Sequence, residues 1–216
     1  MPDPTEAELL PLFLKLEGRR VLVVGAGEVA ERKVGSLLGA GATVHVVAPE
    51  ATPALEQRAT AGTIDWKRRG FVDADVDGAW LVFAATDDAT TQRVVSEACR
   101  ARRVFCIAVD DPPNATAYSG AVVRRAPFTI AISSSGATPA LTRLVRELVE
   151  QVLPGEQWVT HAQQLRARWK ADGTPMADRF AELVREIARP TARPPEDRAR
   201  ESGTGRSEDQ KGRPPS

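Results

Sequence analysis

Four aliphatic residues, Val21-Leu22-Val23-Val24, run straight into Gly25-Ala26-Gly27-Glu28-Val29-Ala30, and a stretch follows that carries Ala30, Val34, Leu37 and Leu38 on one helical face. A strand that ends on two glycines spaced by one residue and restarts as a helix leaves few folds open. Gly25 permits a tight turn, Gly27 lets the backbone approach a pyrophosphate, and Ala30 allows the helix to pack closely on the strand. The helix N-terminus then presents free N–H groups and the positive end of its dipole to an anion. The segment reads as the Gly-x-Gly-x-x-Ala form of a dinucleotide-binding turn; the alternative is a glycine-rich turn used only for packing.

The flanking pattern supports an α/β fold with an N-terminal Rossmann-like parallel sheet over residues 1–110. Strands are expected at Arg20–Val24, Thr43–Ala48, Thr63–Arg68, Trp80–Ala85 and Val104–Val109. Between them Val29–Leu38 and Thr91–Ala101 have helical apolar spacing, and Gly39 and Gly41 are expected to end the first helix. Residues 111–153 open on the turn-rich Asp111-Pro112-Pro113-Asn114 and pass through a strand at Phe128–Ile132. Thr138 then looks like an N-cap with Pro139 at the first helical position. The helix that follows has Leu141, Leu144, Val145, Leu148, Val149 and Val152 on a broad apolar face, which needs a partner, either its own sheet or a second subunit. Residues 154–189 hold two more amphipathic helices, one with Trp158, Ala162, Leu165 and Trp169, the other with Met176, Phe180, Leu183, Val184 and Ile187. From Pro190 to Ser216 no large apolar residue remains, so that tail is expected to be disordered.

Composition removes several function classes. Among 216 residues, 29 Lys and Arg balance 29 Asp and Glu, and no basic stripe occurs, which argues against a nucleic-acid partner. The apolar runs near Val21–Val24 and Ala79–Ala85 fall far short of the roughly 20 residues needed to span a bilayer. Met1-Pro2-Asp3-Pro4-Thr5-Glu6 is acidic where an export signal would be basic. Cys99 and Cys106 form no Cys-x-x-Cys pair and are expected as buried thiols in a reducing cytoplasm. Two His and two Cys without ligand spacing leave no resident metal site to propose.

The cofactor reading extends beyond the glycines. The second strand ends Val46-Val47-Ala48-Pro49-Glu50, and Glu50 lies 23 residues past Gly27, near the place of a ribose-binding carboxylate. Glu50 is either that ligand or a solvated loop acid, and with no Arg directly after it the reading leans to NAD over NADP. Ala84-Ala85-Thr86-Asp87-Asp88 ends the fourth strand; Thr86 is a candidate cofactor contact, and Asp87 and Asp88 are better suited to capping the next helix.

For proton transfer the histidines are poorly placed, His45 inside a strand and His161 in a late helix. Asp110 ends the fifth strand at the same edge as Gly25 and Thr86, and apolar residues before it suit a general base. It is either catalytic or a turn-shaping residue with Asp111. Ser133-Ser134-Ser135-Gly136 precedes a helix N-terminus and either binds carboxylates or phosphate or caps the helix.

In order along the chain, Leu10-Pro11-Leu12-Phe13-Leu14, Val23 to Lys33, Ala84 to Asp88, Val109-Asp110-Asp111-Pro112 and Ala131 to Leu141 resemble the motifs of the precorrin-2 dehydrogenase/sirohydrochlorin ferrochelatase family, the N-terminal module of siroheme synthase. The resemblance covers roughly residues 9–188. It implies a homodimer with a middle segment exchanged between subunits and a small C-terminal helical domain. It also implies oxidation of the tetrapyrrole precorrin-2 to sirohydrochlorin with NAD, in many members followed by insertion of Fe²⁺ as substrate. The family's key aspartate falls on Asp110. Cofactor contacts fall on the glycine loop, including Glu28 and Val29, and on Pro49 and Glu50. A phosphorylatable serine near the tetrapyrrole falls on Ser134. The chain departs from the pattern at Ile107, where the family usually has Asn, and at Gly120, where it usually has Pro. Two other readings explain the glycine loop: a nucleotide-sensing domain without catalysis, which leaves Asp110 and the serine loop without a role, and a methyltransferase that uses the loop for S-adenosylmethionine.

Overall fold

A computed structural model of the chain describes residues 9–153 and 155–188. The acidic N-terminal residues Met1–Glu6 and the tail from Pro190 lie outside the described residues. The contact pattern divides the chain into two units, one formed by residues 1–122 with 131–146, the other by 123–130 with 147–216.

The first unit is built on five parallel strands: β1 (Arg20–Val24), β2 (Thr43–Val47), β3 (Asp65–Lys67), β4 (Leu81–Ala84) and β5 (Phe105–Ala108). Their order is β3-β2-β1-β4-β5, with Val24 opposite both Val47 and Ala84, and Ala84 opposite Ala108. The order reverses direction between β1 and β4, the topological switch point where open sheets of this kind bind ligands beyond the strands' carboxyl ends. Successive side chains of β1 point to opposite faces, and both faces are buried. Val21 and Val23 pack with Ala30, Val34 and Leu37 of α1 (Glu28–Gly39). Leu22 and Val24 pack with Val95, Ala98 and Cys99 of α3 (Ala89–Arg102). Cys106 is buried in that second layer, and both thiols are free. A strand covered on both faces has to be a continuous aliphatic run, as Val21–Val24 is.

Each expected strand is present, β1 with its expected bounds and β2 to β5 trimmed by one or two residues at an end where the ladder stops. A short helix the periodicity does not announce, α2 (Pro53–Thr60), follows β2; Thr52 caps it by accepting the Leu55 N–H, and Pro53 occupies its first turn. Gly41, with φ +77°, makes the turn after α1, whereas Gly39 lies inside the helix, so Gly41 alone carries the backbone role expected of the pair.

A second unannounced element, β6 (Ala121–Arg125), pairs with β7 (Phe128–Ile132). α4 (Pro139–Val152) starts at the expected proline, and its Leu141, Leu144, Leu148 and Val152 are exposed. The other unit contains α5 (Glu156–Asp172) and α6 (Met176–Ala188), with Leu165 and Trp169 buried. Trp169 donates its indole N–H to Glu182 at 2.5 Å, and Arg168 pairs with the same carboxylate. No helix among the described residues is long and apolar enough to cross a membrane.

Candidate functional site

The turn after β1 is held by the backbone. Gly25 has φ +100°, donates its N–H to the Val47 carbonyl at 2.9 Å, and sits so close to the β4–α3 loop that a β-carbon would collide with the Ala85 carbonyl. Gly27 is the N-cap of α1 and has no side chain to cap with; a β-carbon there would meet nothing within 4 Å. The first N–H groups of α1, at Glu28, Val29 and Ala30, thus have no side-chain cap. Ala30 is buried against the sheet and Glu28 is exposed. This is the geometry a pyrophosphate needs: a clear approach, uncapped donors and the positive end of a helix dipole. The residues present fit a dinucleotide.

Pro49 and Glu50 are exposed in the loop after β2. That loop is pinned at both ends, since Ala48 accepts the Trp66 indole N–H at 3.0 Å and Thr52 donates its N–H to the Ala26 carbonyl at 3.0 Å. The Thr52 hydroxyl also donates to Glu31 on α1 at 2.6 Å. The ribose candidate therefore sits on a loop tied directly to the glycine turn. Thr86 is half-buried, and its hydroxyl accepts the Asp88 N–H at 3.2 Å. Asp88 is the N-cap of α3, accepting from the Thr90 and Thr91 N–H groups and from the Thr91 hydroxyl. The Thr91 hydroxyl first, then those N–H groups, hold its carboxyl below the usual carboxylate range.

At the carboxyl end of β5, Asp110 adopts a left-handed conformation with φ +56°, a sparsely populated region for a residue with a β-carbon. Three side chains of α3 fix the loop that carries it. Buried Gln92 donates to the Val109 carbonyl at 2.7 Å, Ser96 to the Asn114 carbonyl at 2.6 Å, and Arg100 to the Pro113 carbonyl at 2.9 Å. The Asp111 carboxylate is occupied by the Asn114 amide at 2.7 Å. Asp110 and Asp111 both line a cleft of about 590 Å³, a size suited to a small-molecule ligand.

Ser133 and Ser134 also line that cleft, together with Thr142, Arg143 and Arg146 of α4. The Ser134 hydroxyl accepts the Thr138 N–H at 3.3 Å and lies 2.7 Å from the Thr142 hydroxyl. Ser135 has φ +53°, donates its N–H to Ser133 Oγ at 3.1 Å, and does not line the cleft. Ile107 lines the cleft with its aliphatic side chain. Gly120 is explained by contact, since a β-carbon there would stand 2.5 Å from the Ile132 carbonyl oxygen.

Sequence reasoning missed Lys33 as a site residue. It belongs to the second turn of α1, lines the Asp110 cleft, and donates to Ser119 Oγ at 3.0 Å. Only its spacing from Gly27 hinted at this, because a residue six positions along a helix lies about 9 Å further on. Of the two histidines, His45 pairs with Asp65 at 2.9 Å and His161 stacks edge-on against Trp158; neither lines the cleft.

An NAD(P)-binding family profile matches residues 12–121, just over half of the chain. The chain belongs to this NAD(P)-binding family. Its relatives narrow the kinship. Siroheme synthase 1 of Aeromonas salmonicida (strain A449) is 42% identical over 174 residues, which are 80% of this chain and 37% of that protein. Siroheme synthase 2 of Klebsiella pneumoniae (strain ATCC 700721) is 41% identical over 172 residues, 79% of this chain and 38% of that protein. The chain thus spans under two fifths of the length of these siroheme synthases, to which it is related. In fold it is similar to SirC, a precorrin-2 dehydrogenase, with a TM-score of 0.67 at 23% identity, covering 83% of this chain and 89% of that one.

Proposed function

We propose that this chain oxidises precorrin-2 to sirohydrochlorin with NAD as acceptor, and that Asp110 is the base. The observation that carries the reading is a carboxylate held in a left-handed conformation on a cleft wall, at the same sheet edge as an uncapped glycine turn. Its kinship with siroheme synthases supplies the substrate class.

Removing two hydrogens from a tetrapyrrole takes a hydride from carbon and a proton from the macrocycle. NAD, when bound, supplies the two-electron acceptor; Gly25, Gly27, Glu28, Val29 and Ala30 would hold its pyrophosphate, with Pro49, Glu50 and Thr86 alongside. Asp110 takes the proton, and the α3 clamp keeps its carboxylate aimed into the cleft without reorganisation at the moment of reaction. Ser133 and Ser134 offer hydroxyls to the substrate's polar periphery. The exposed apolar side of α4 is the surface on which a second copy docks to form a homodimer. The buried free thiols suit a reducing cytoplasm.

In the same reading the product stays in the cleft, Fe²⁺ enters as a second substrate, and Asp110 assists loss of the pyrrole protons. Ile107 favours a narrower alternative, a dehydrogenase without chelatase activity, because an apolar side chain stands where the family usually places an amide. One anaerobic experiment tests both. Protein, precorrin-2 and NAD are mixed, NADH is followed, and Fe²⁺ is then added while the siroheme spectrum develops. NADH formation followed by metallation faster than a protein-free control supports the bifunctional enzyme. NADH formation with metallation at the control rate leaves the dehydrogenase alone, and absence of NADH from folded protein overturns the reading.

A further inference from the structure

The Asp110 cleft has a cation on the wall formed by the nucleotide-binding helix itself. We propose that Lys33 is the anchor for a carboxylate of the substrate, fixing the macrocycle in register with Asp110. The inference rests on the tetrapyrrole reading above and adds to it the residue that recognises the substrate's acidic periphery.

The geometry supports this in three ways. First, Lys33 lines the cleft, and its one hydrogen bond goes to Ser119, a neutral acceptor that uses one of three ammonium N–H donors. Among the described residues Lys33 makes no ion pair, so its charge is balanced by no contact carboxylate. Second, the ammonium is partly removed from water. Burial, and then repulsion from Arg32, lower its pKa, while the charge of Asp110, which lines the same cleft, pulls the other way. A desolvated cation of this kind gains more from an incoming carboxylate than a solvated one. Third, Lys33 shares the cleft with Arg143 and Arg146 of α4, and of the two carboxylates that line it Asp111 is already engaged by Asn114. Arg143 and Arg146 stand three residues apart on α4 and share a helix face. A rigid macrocycle with acidic side chains around its rim would meet Lys33 in the same cleft as Asp110.

Lys33 also joins the two halves of the site. The helix that presents uncapped N–H groups at Gly27 carries Lys33 about 9 Å further along its axis. Substrate position and nucleotide position are therefore set by one rigid element.

The test uses the full chain, Lys33→Met and Lys33→Arg, with two readouts. Fluorescence titration with uroporphyrin, a tetrapyrrole carrying eight carboxylates, measures the anchor without chemistry; NADH formation from precorrin-2 measures it with chemistry. Lys33→Met is expected to weaken uroporphyrin binding and raise the KM for precorrin-2 about tenfold or more, with kcat within about threefold and NAD affinity within about twofold. Lys33→Arg, which keeps the charge, restores most of the affinity. Retained NAD affinity shows that α1 is folded in both variants. Equal uroporphyrin affinity in Lys33→Met and wild type would overturn the anchor and leave the dehydrogenase reading standing. Uroporphyrin binding that depends on Lys33, without any NADH from precorrin-2, would overturn the dehydrogenase reading and leave the anchor. No tetrapyrrole binding by the wild type overturns both.

Discussion

Gly25 and Ala85 meet backbone to backbone across the switch point of the sheet: a β-carbon built on Gly25 would stand 2.7 Å from the Ala85 carbonyl carbon, and nearer still to its oxygen. The loops after β1 and β4 thereby close on each other, and nothing but hydrogen fits between them. Two residues later Gly27 faces open space. The two glycines of one motif therefore have different physical reasons to be glycine, the first internal to the fold and the second external to it.

That difference separates two alanine substitutions. Gly25→Ala adds both the clash and the strain of a left-handed φ, and is expected to cost at least about 2 kcal/mol and to lower thermal stability and NAD affinity together. Gly27→Ala has an allowed backbone and room for its methyl group. It should keep its melting temperature within about 2 °C while NAD affinity falls about tenfold or more, because the methyl group occupies the phosphate's approach. Thermal melts with and without NAD distinguish the cases; a Gly27→Ala protein with undiminished NAD affinity would sink the pyrophosphate assignment.

Asp110 can be tested for chemistry separately from conformation. Asn tolerates the left-handed region better than most residues, so Asp110→Asn should fold like the wild type. It cannot take a proton, and kcat for NADH formation is expected to fall about 10²-fold or more, with NAD affinity unchanged. Single-turnover kinetics on both proteins would decide, and a variant at full rate would return Asp110 to a turn-shaping role.

Gln92 never enters the cleft, but its side chain holds the Val109 carbonyl next to Asp110. Gln92→Leu conserves approximate volume and leaves that carbonyl unsatisfied, at about 1–3 kcal/mol. The expected signature is a fall in kcat of about tenfold with little change in the KM for NAD, since the glycine turn is untouched. Equal loss of NAD affinity would mean that Gln92 supports α3 as a whole rather than the loop.

How much of this was legible in the sequence depended on which signal each element emits. The five parallel strands are short aliphatic runs between turn residues, and all were found to within a residue or two because a strand buried on both faces has no other way to be written. α2 was missed because it buries one residue, Leu55, so its apolar period is empty, although the Thr52-Pro53 start signal was present. β6 was missed because Val122 and Val123 are followed at once by Arg124 and Arg125. Asp88 as a cap was legible from residue type and position alone. Lys33 was not, because a lysine on a helix reads as solvated until tertiary closure brings Ser119 to it. The left-handed backbone at Asp110 was not read either, although Asp is among the residue types that adopt this region more readily than most.

One ion pair outside the site gives the protein an acid limb. Asp75 is buried and accepts two hydrogen bonds from Arg69, at 2.6 and 2.8 Å, and one from the Val72 N–H at 2.9 Å. The Arg69 hydrogen bonds hold its carboxyl below the usual range, against the opposing effect of burial. A carboxyl lowered in the folded state contributes stability that is complete above its unfolded value near about 4 and is lost as pH falls through the lowered value. Asp75→Asn should therefore destabilise by about 1–3 kcal/mol at neutral pH, discounted for the partial exposure of Arg69, and the difference from wild type should shrink below about pH 4. Urea midpoints measured across that range check the sign; a difference independent of pH would show that packing, not charge, sets the cost.

Ile107 is where sequence kinship and local chemistry pull apart. Its side chain packs partly against the core and partly lines the cleft, three residues before Asp110 on the same strand end. An amide there would place donors and an acceptor near Asp110; the sec-butyl group of isoleucine places none. Hydride removal needs the base and the acceptor, whereas metal insertion needs the pyrrole nitrogens held and stripped of protons, which is the step an additional polar group assists. Ile107→Asn is therefore expected to leave NADH formation within about threefold and to raise the rate of Fe²⁺ insertion about tenfold. The stability cost should be about 1 kcal/mol, because the site is only half-buried. The comparison is made on one protein preparation, with the protein-free metallation rate subtracted. A variant that metallates no faster than its parent would show that position 107 does not set the balance between the two steps, and that the remaining polar groups of the cleft, Ser133 and Ser134 first, should be varied instead.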